Sequence, residues 1–393
     1  MPDFLHGIEV TEISDGIRPI RTVRSSVIGL IGDAPLADAT AFPLDTPVLV
    51  TGPRQAAALG LTGSLLDSYT AIYQQGAAVV VVVRVAGADA AAIQAAAVGD
   101  PIAFTGVNAF LRAQELVGLT PRILVAPGLT GDRPLDAANP VITALLPVAT
   151  RLRAIVVADG PNTDTADALT FAADWGSDRL FIVDPAVRVY DTVAQALETR
   201  PASPFAAGAI AASDITRGFW WSPSNTVLAG VSGAARPISF GLSDTQTEAN
   251  LLNEANVATV VQINGWRLWG NRTTATDTLW TFLSVRRTAD IIYDSIEEAL
   301  LWALDRPASP QLVVDIRDTV QSYLDLLVGR GALLGGRVWF DPELNPVTAL
   351  QAGQLTLDFD IEPPAPIERL TFRAHRNGDY YETLATALSS TTV

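Results

Sequence analysis

A chain of 393 residues with 26 basic and 42 acidic side chains carries a formal net charge of −16, has two His and lacks Cys. Its length exceeds the roughly 250–300 residues at which one hydrophobic core stops growing, so more than one domain is expected. The sign of the charge excludes nucleic acid as a partner, because binding phosphates needs basic side chains that displace counterions. Without Cys there is no disulfide, thiolate nucleophile or Cys-ligated metal.

Hydrophobic residues make up 49% and charged ones 17%, a globular rather than a disordered composition. The longest apolar run, 77–83, ends at Arg84, far short of the roughly 18 residues that suggest a membrane span. The chain opens without the basic-then-apolar pattern of a leader. A soluble product made in the cytoplasm, with no direct membrane insertion, is the expectation. Every Lys/Arg position is Arg, which closes the P-loop, Schiff-base and Ser-Lys mechanisms, since each needs an ammonium group.

Residues 1–24 read as an extended N-terminal arm. Ile8, Val10 and Glu12 alternate with Glu9, Thr11 and Ile13 until Asp15-Gly16 breaks the pattern. An isolated strand is not stable in water, so this segment has to pair with something distant or with another chain.

From Val27 the chain becomes a run of α/β units. Strands are predicted at 27–31, 48–51, 77–85, 122–126, 154–158 and 179–183, and helices at 64–75, 135–150, 163–175 and 203–218. Strands separated by helices of ten or more residues imply parallel pairing with right-handed crossovers. Beyond Trp220 and Trp221 the strands shorten; 257–263 and 266–269 flank Asn264-Gly265, a hairpin signal. Helices follow at 286–304 and 311–328, and a domain boundary is placed just before Arg286. Residues 337–340, 354–362 and 367–376 read as strands, the last two joined by a stiff connector through Pro363, Pro364 and Pro366. Residues 380–388 look helical. The fold class is α/β: a layered outer domain of βαβ units (25–285), a smaller α+β inner domain (286–378), a tail (379–393) and extended terminal arms.

The cleanest alternation lies in the inner domain. Leu355, Leu357, Phe359 and Ile361 form one face, and Asp358, Asp360 and Glu362 belong to the other. In the following segment Leu370, Phe372 and Ala374 oppose Arg369, Arg373 and His375. Antiparallel pairing of Asp358 with Arg373 and Glu362 with Arg369 is an allowed register, within one chain or between two.

A search for chemistry finds no constellation that would carry a reaction. His6 and His375 are the sole imidazoles. Gly230-Val-Ser-Gly-Ala234 approaches a nucleophile elbow, but Arg236-Pro237 follows where a helix must start. The glycines at 329–336 follow a helix and open a strand, the reverse of a dinucleotide loop, and read as a helix cap and turn. Trp220, Trp221, Trp266 and Trp269, beside Pro and Gly, read as packing anchors. No cofactor or metal is expected. One enzymatic alternative remains: a pocket at the carboxyl ends of the parallel strands, near Asp159 and Asp184.

Five tracts then carry a resemblance: His6-Gly-Ile-Glu-Val-Thr-Glu12, Phe42-Pro-Leu-Asp-Thr-Pro-Val48, Gly118-Leu-Thr-Pro-Arg-Ile-Leu-Val-Ala-Pro-Gly128, Gly265-Trp-Arg-Leu-Trp-Gly-Asn-Arg272 and Gly335-Gly-Arg-Val-Trp-Phe-Asp-Pro342. In order along nearly the whole chain, they resemble the tail-sheath proteins of contractile-tailed phages and R-type bacteriocins (tailocins). The resemblance implies a non-enzymatic subunit of a virion or tailocin particle. Such a subunit stacks as hexameric rings around a tail tube and contracts to drive that tube through a cell envelope. Partners implied are further copies of itself, the tube protein, and baseplate and tail terminator proteins. By the same resemblance Ile8, Glu9, Val10, Thr11, Glu12 and Ile13 would be a strand donated to a neighbour, with Arg369, Leu370, Phe372 and Arg373 a second candidate. On helix 311–328, Gln311, Asp315, Asp318, Ser322 and Asp325 share a polar stripe opposite Val313, Ile316, Val320, Leu324 and Leu327. If the inner domain faces the tube, Asp315, Asp318 and Asp325 would meet a basic patch there.

Overall fold

The computed structural model describes residues 19–76, 79–192 and 194–391. The first strands, β1 (Ile28–Asp33), β2 (Val48–Val50), β3 (Val80–Val85), β4 (Ile123–Val125), β5 (Ile155–Asp159) and β6 (Leu180–Val183), build most of one large sheet. β7 (Val187–Asp191), β8 (Ala196–Arg200) and β10 (Val231–Ala234) form a separate three-stranded antiparallel sheet. β9 (Thr226–Val227), β11 (Val257–Gln262) and β12 (Trp266–Trp269) complete the large one in the order β2-β3-β1-β4-β5-β6-β11-β12-β9. β13 (Gly335–Trp339) and β14 (Asp358–Glu362) pair as a two-stranded sheet.

β3, β1, β4, β5, β6 and β11 run parallel, as helix-length connections require. The edge strand β2 departs from that pattern and pairs antiparallel with β3. Both faces of the sheet are buried, and the two-residue period sorts each strand between them. Ile28, Leu30, Val80 and Val82 meet the Leu65–Gln74 and Ser203–Thr216 helices. Ile31, Val81 and Val83 meet the face carrying Ala90–Val98, Pro140–Leu152 and Thr165–Ala173. Asn264 and Gly265 both adopt positive φ, 49° and 110°, the conformation of a tight hairpin turn, and join β11 to β12 as an antiparallel pair.

A third core gathers the C-terminal elements: Ile291, Ile292 and Ile296 of the Leu283–Ala299 helix, Val320, Tyr323, Leu324 and Leu327 of the Pro310–Gly329 helix, and Val338 of β13. Ser309 caps the second helix by accepting from the Leu312 amide at 3.2 Å, and Pro310 opens it. The first begins earlier than its apolar period suggests, at Leu283, with Arg286 N–H closing its first turn onto Phe282 O at 3.0 Å. A boundary at 286 therefore falls in its first turn.

Two corrections concern the strands. β7 and β8 occupy the stretch between the strand expected at 179–183 and the helix expected at 203–218, where the sequence places no element. The 367–376 segment is exposed and belongs to no strand or helix. β14, five residues long, takes β13 as its partner, with Gly335 opposite Glu362 and Trp339 opposite Asp358. The Asp358–Arg373 and Glu362–Arg369 register is thus not formed within the chain.

Candidate assembly surfaces

The carboxyl ends of the parallel strands are the place for a catalytic pocket in such a sheet, and here they are filled. Asp159 is buried and accepts from Ser203 N–H and Ser203 Oγ, both at 2.8 Å, and from Gly128 N–H at 3.1 Å. Its charge sits at the amino end of the Ser203–Thr216 helix, where the dipole favours an anion. Asp184, fully buried, accepts from Asn162 N–H at 2.7 Å and from Arg236. Burial pushes both carboxyls above their ordinary pKa against the pull of those donors. A cavity of about 600 Å³ lies nearby, lined by Ser64, Gly128, Tyr190 and Phe205, and neither Asp159 nor Asp184 reaches it. Of its three charged lining residues, Asp67 and Asp191 both bond the third, Arg200. These carboxylates hold loops and helices together, and the enzymatic alternative loses its site. Among the described residues no group of three or more His, Asp or Glu could hold a metal ion. No helix there is long and apolar enough to cross a membrane.

The other motifs resolve structurally. Residues 231–234 of the elbow-like tract are β10. Gly331 takes φ +76° at the end of the Pro310–Gly329 helix before β13 begins. Trp220 packs edge-on against Phe219 at 5.1 Å, and Trp269 against Phe240 at 5.1 Å. His375 lies exposed in the C-terminal segment.

The Leu283–Ala299 helix carries an ionic network that sequence reasoning missed. Arg179 grips Asp290 with both nitrogens, at 2.7 and 3.0 Å, and Arg286 reaches the same carboxylate at 2.7 Å. Arg287 pairs with Asp214 at 2.7 Å and donates to Ser25 O at 3.1 Å. Arg122 and Arg153 converge on Asp294, each at 2.7 Å, and Arg153 also binds Glu297. Burial raises the Asp294 carboxyl, whereas the Arg153 hydrogen bond lowers that of Glu297. The available signal was the spacing of Arg286, Asp290, Asp294 and Glu297, which puts four charges on neighbouring turns of one helix. Their partners Arg122, Arg153 and Arg179 lie 111 to 172 residues away along the chain, so local periodicity could not reveal them.

The sheet of β13 and β14 has two strands, so each keeps one edge that no described strand of the chain covers. Asp360 bonds Arg337 across the sheet at 3.1 Å. Phe359 and Ile361 are half-buried against the third core, and Phe359 lies 5.9 Å from Tyr293. The chain then leaves. Pro363 is buried, and Glu368 is held by Arg272 at 2.6 and 3.0 Å. From Arg369 to Thr391 every residue is exposed, Phe372 at 85%. Of the proposed exchange residues, Arg369, Leu370, Phe372 and Arg373 thus lie on a surface-exposed segment outside any strand or helix; Ile8 to Ile13 lie outside the described residues. Residues 20–24 follow the same logic at the other end. Ile20 is buried in the third core, Val23 N–H donates to Ser295 Oγ at 3.1 Å, and Thr22 Oγ1 meets Tyr323 OH at 3.2 Å.

On the Pro310–Gly329 helix, Asp315, Ser322 and Asp325 are exposed while Ile316, Val320, Leu324 and Leu327 are buried, as the stripe requires. Asp318 is half-buried and binds Arg317 at 2.7 Å. Gln311 and Gln321 donate to Asp315 and Asp325 at 2.7 and 2.9 Å.

Three family models match the chain in sequence: the tail sheath protein Gp18 domain III N-terminal region over 25–85, the phage tail sheath protein central domain over 103–274, and the phage tail sheath C-terminal domain over 275–376. A prophage major tail sheath protein of Pseudomonas aeruginosa (strain UCBPP-PA14) is 39% identical over 94% of this chain and 96% of its own. The tail sheath protein of Escherichia phage P2 is 34% identical over 99% and 100%. In structure, the sheath complex of an extracellular contractile injection system, PVC, in its contracted state superposes with a TM-score of 0.70 at 18% identity, covering 96% of this chain and 99% of that one. The helical sheath of the anti-feeding prophage, also contracted, gives 0.69 at 18% identity, with 95% and 100% covered. With relatives this similar along nearly its full length, the chain belongs to the phage tail sheath family, whose members are structural subunits and not enzymes.

Proposed function

We propose that the protein polymerises as hexameric rings stacked around a tail tube, in a virion or tailocin particle assembled in the bacterial cytoplasm, and that contraction of this lattice drives the tube through a cell envelope. The observation that carries the reading is the outer edge of β14, which no described strand covers, beside a C-terminal segment that leaves its own body at Glu368; the outer edge of β13 is held by Gln321, which donates to Gly336 O at 3.1 Å and accepts from Val338 N–H at 3.0 Å. An open edge offers a row of main-chain donors and acceptors, and strand addition is the direct way to satisfy them. Residues 8–13 and 369–373 are the donated strands. Because each arm is fastened to its own body before it leaves, subunits stay linked while the bodies rotate. The outer domain (25–285) then surrounds an inner one (286–378, its first helix starting at Leu283), with residues 379–393 as a tail. Asp315, Asp318 and Asp325 face the tube, and the ends of the lattice meet baseplate and tail terminator proteins. No cofactor or nucleotide enters this cycle, since the energy is stored in the metastable lattice.

Negative-stain electron microscopy of the expressed protein tests the reading. The full chain should form rings and tubes at high concentration, and a chain lacking residues 1–18 should remain dispersed while keeping its far-ultraviolet circular dichroism. Tubes from the shortened chain would remove the N-terminal strand from the scheme, and dispersed full-length protein at every concentration would remove the polymer.

A further inference from the structure

The Tyr380–Ser390 helix has 11 residues, none of them buried, and belongs to none of the cores formed by the described residues. Isolated helices shorter than about 12–15 residues are marginal in water, so one of this length needs a surface to lie on. Tyr380, Tyr381 and Leu384, spaced to share one side, are all exposed. A second uncovered apolar surface lies on the excursion between β13 and β14, where Leu344, Val347, Leu350 and Leu355 are exposed. That excursion is a built object rather than a loose loop. Asn345 is buried, donates to Asp341 O at 2.7 Å and Thr356 O at 2.9 Å, and accepts from Thr356 N–H at 2.8 Å.

We infer that the C-terminal helix docks on the 340–357 excursion of a second copy of this chain, delivered there by the strand that precedes it; the inference rests on the strand-addition reading above. Direction follows from charge and apolar register together. Placing Arg369 opposite Glu362 and Arg373 opposite Asp358 sets Leu370 against Ile361 and Phe372 against Phe359, so that one alignment matches the acidic face to the basic one and the half-buried apolar face to the exposed one. In that antiparallel alignment the added strand runs from the Glu362 end of β14 toward Asp358. There Trp339 stands opposite Asp358 and the excursion begins. Residues 374–379 carry the chain past Thr356, and the helix arrives beside Leu344, Val347 and Leu350. The opposite direction would leave it near Leu334. The occupant is a second copy because Arg272 holds Glu368 at home, and the basic strand finds its matching acidic face on β14 of a neighbour.

The Cys-free chain makes the test direct, since each introduced thiol is unique. Copies carrying Leu384→Cys are co-assembled with copies carrying Val347→Cys, treated with a short bismaleimide and run on a denaturing gel. Copies carrying Arg373→Cys mixed with copies carrying Asp358→Cys report the strand itself. Covalent dimers from both mixtures are expected, each lost when either variant is treated alone. Dimers from 358/373 with none from 347/384 would overturn the helix docking and leave strand addition intact. Dimers from 347/384 alone would keep the docking and remove the strand that delivers it, and dimers from neither would overturn both. Should the variants not assemble, hydrogen exchange on the unsubstituted protein decides: slowing by about tenfold at both 347–351 and 381–390 on polymerisation supports the docking, and unchanged exchange at either overturns it.

Discussion

Asp290 shows how much one side chain can hold. It is 2% exposed and carries two guanidinium partners, Arg179 from the end of the loop before β6 and Arg286 from the previous turn of its own helix. A buried ion pair contributes little net stability over an apolar replacement, because desolvation offsets the attraction, yet removing one member strands the other without compensation. Asp290→Ala is therefore expected to lower the free energy of unfolding by about 3–5 kcal/mol, read as a shift of the urea midpoint of the dispersed subunit. Asp318→Ala, which releases an exposed Arg317, should cost about 0–1 kcal/mol. Equal midpoints for the two variants would show that the Asp290 cluster is not a keystone between the large sheet and the C-terminal elements. At this scale the sequence was least readable. Asp159 and Asp184 were singled out correctly as the carboxylates at the strand ends, but which donors would reach them depends on Ser203 and Arg236, far along the chain, so a structural role and a catalytic one looked alike.

Elements were legible in proportion to how regularly they meet the core. The Asn264-Gly265 turn, the amphipathic Pro310–Gly329 helix and the valine run that opens β3 each announce themselves through a local rule that tertiary structure then obeys. β8 does not. Its five residues are all exposed or half-exposed, leaving no burial period to detect. Its order comes from pairing with β7 and from Arg200, which binds Glu198 at 2.6 Å and Asp191 at 3.2 Å. The Ala90–Val98 helix was missed because an alanine run has no contrasting face; the signal that was there is Asp89, whose side chain caps it from Ala92 N–H at 2.8 Å. The polar stripe of the Pro310–Gly329 helix makes a separable prediction. Reversing Asp315 and Asp325 to Arg touches two exposed positions, so subunit stability should stay within about 0.5 kcal/mol. If the stripe faces a basic tube surface, assembly around tubes should fall at least tenfold by co-sedimentation while tube-free polymers still form. Unchanged co-sedimentation would take these residues off the tube.

At the scale of the whole molecule, the proposed assembly gives both ends of the chain an anchor followed by a reach, and the two parts should separate experimentally. Ile20 lies in the third core with Ile291, Tyr323 and Leu324, so the residues just before β1 belong energetically to the C-terminal elements. Truncating a buried Ile to Ala typically costs about 2–5 kcal/mol, the lost transfer energy plus the cavity left behind. Ile20→Ala should therefore lower the unfolding midpoint of dispersed subunits. Removal of 369–393 deletes the segment beyond the Arg272–Glu368 pair, surface-exposed throughout 369–391. It should leave that midpoint unchanged and still abolish polymers. The combination matters because a sheath subunit has to keep one rigid body through assembly and contraction while its connections to other copies change geometry. Burial supplies the first property and exposed, anchored chain the second. A shortened chain that unfolds much earlier than the full one would mean that the C-terminal segment serves its own fold, and the division between anchor and reach at Glu368 would be in the wrong place.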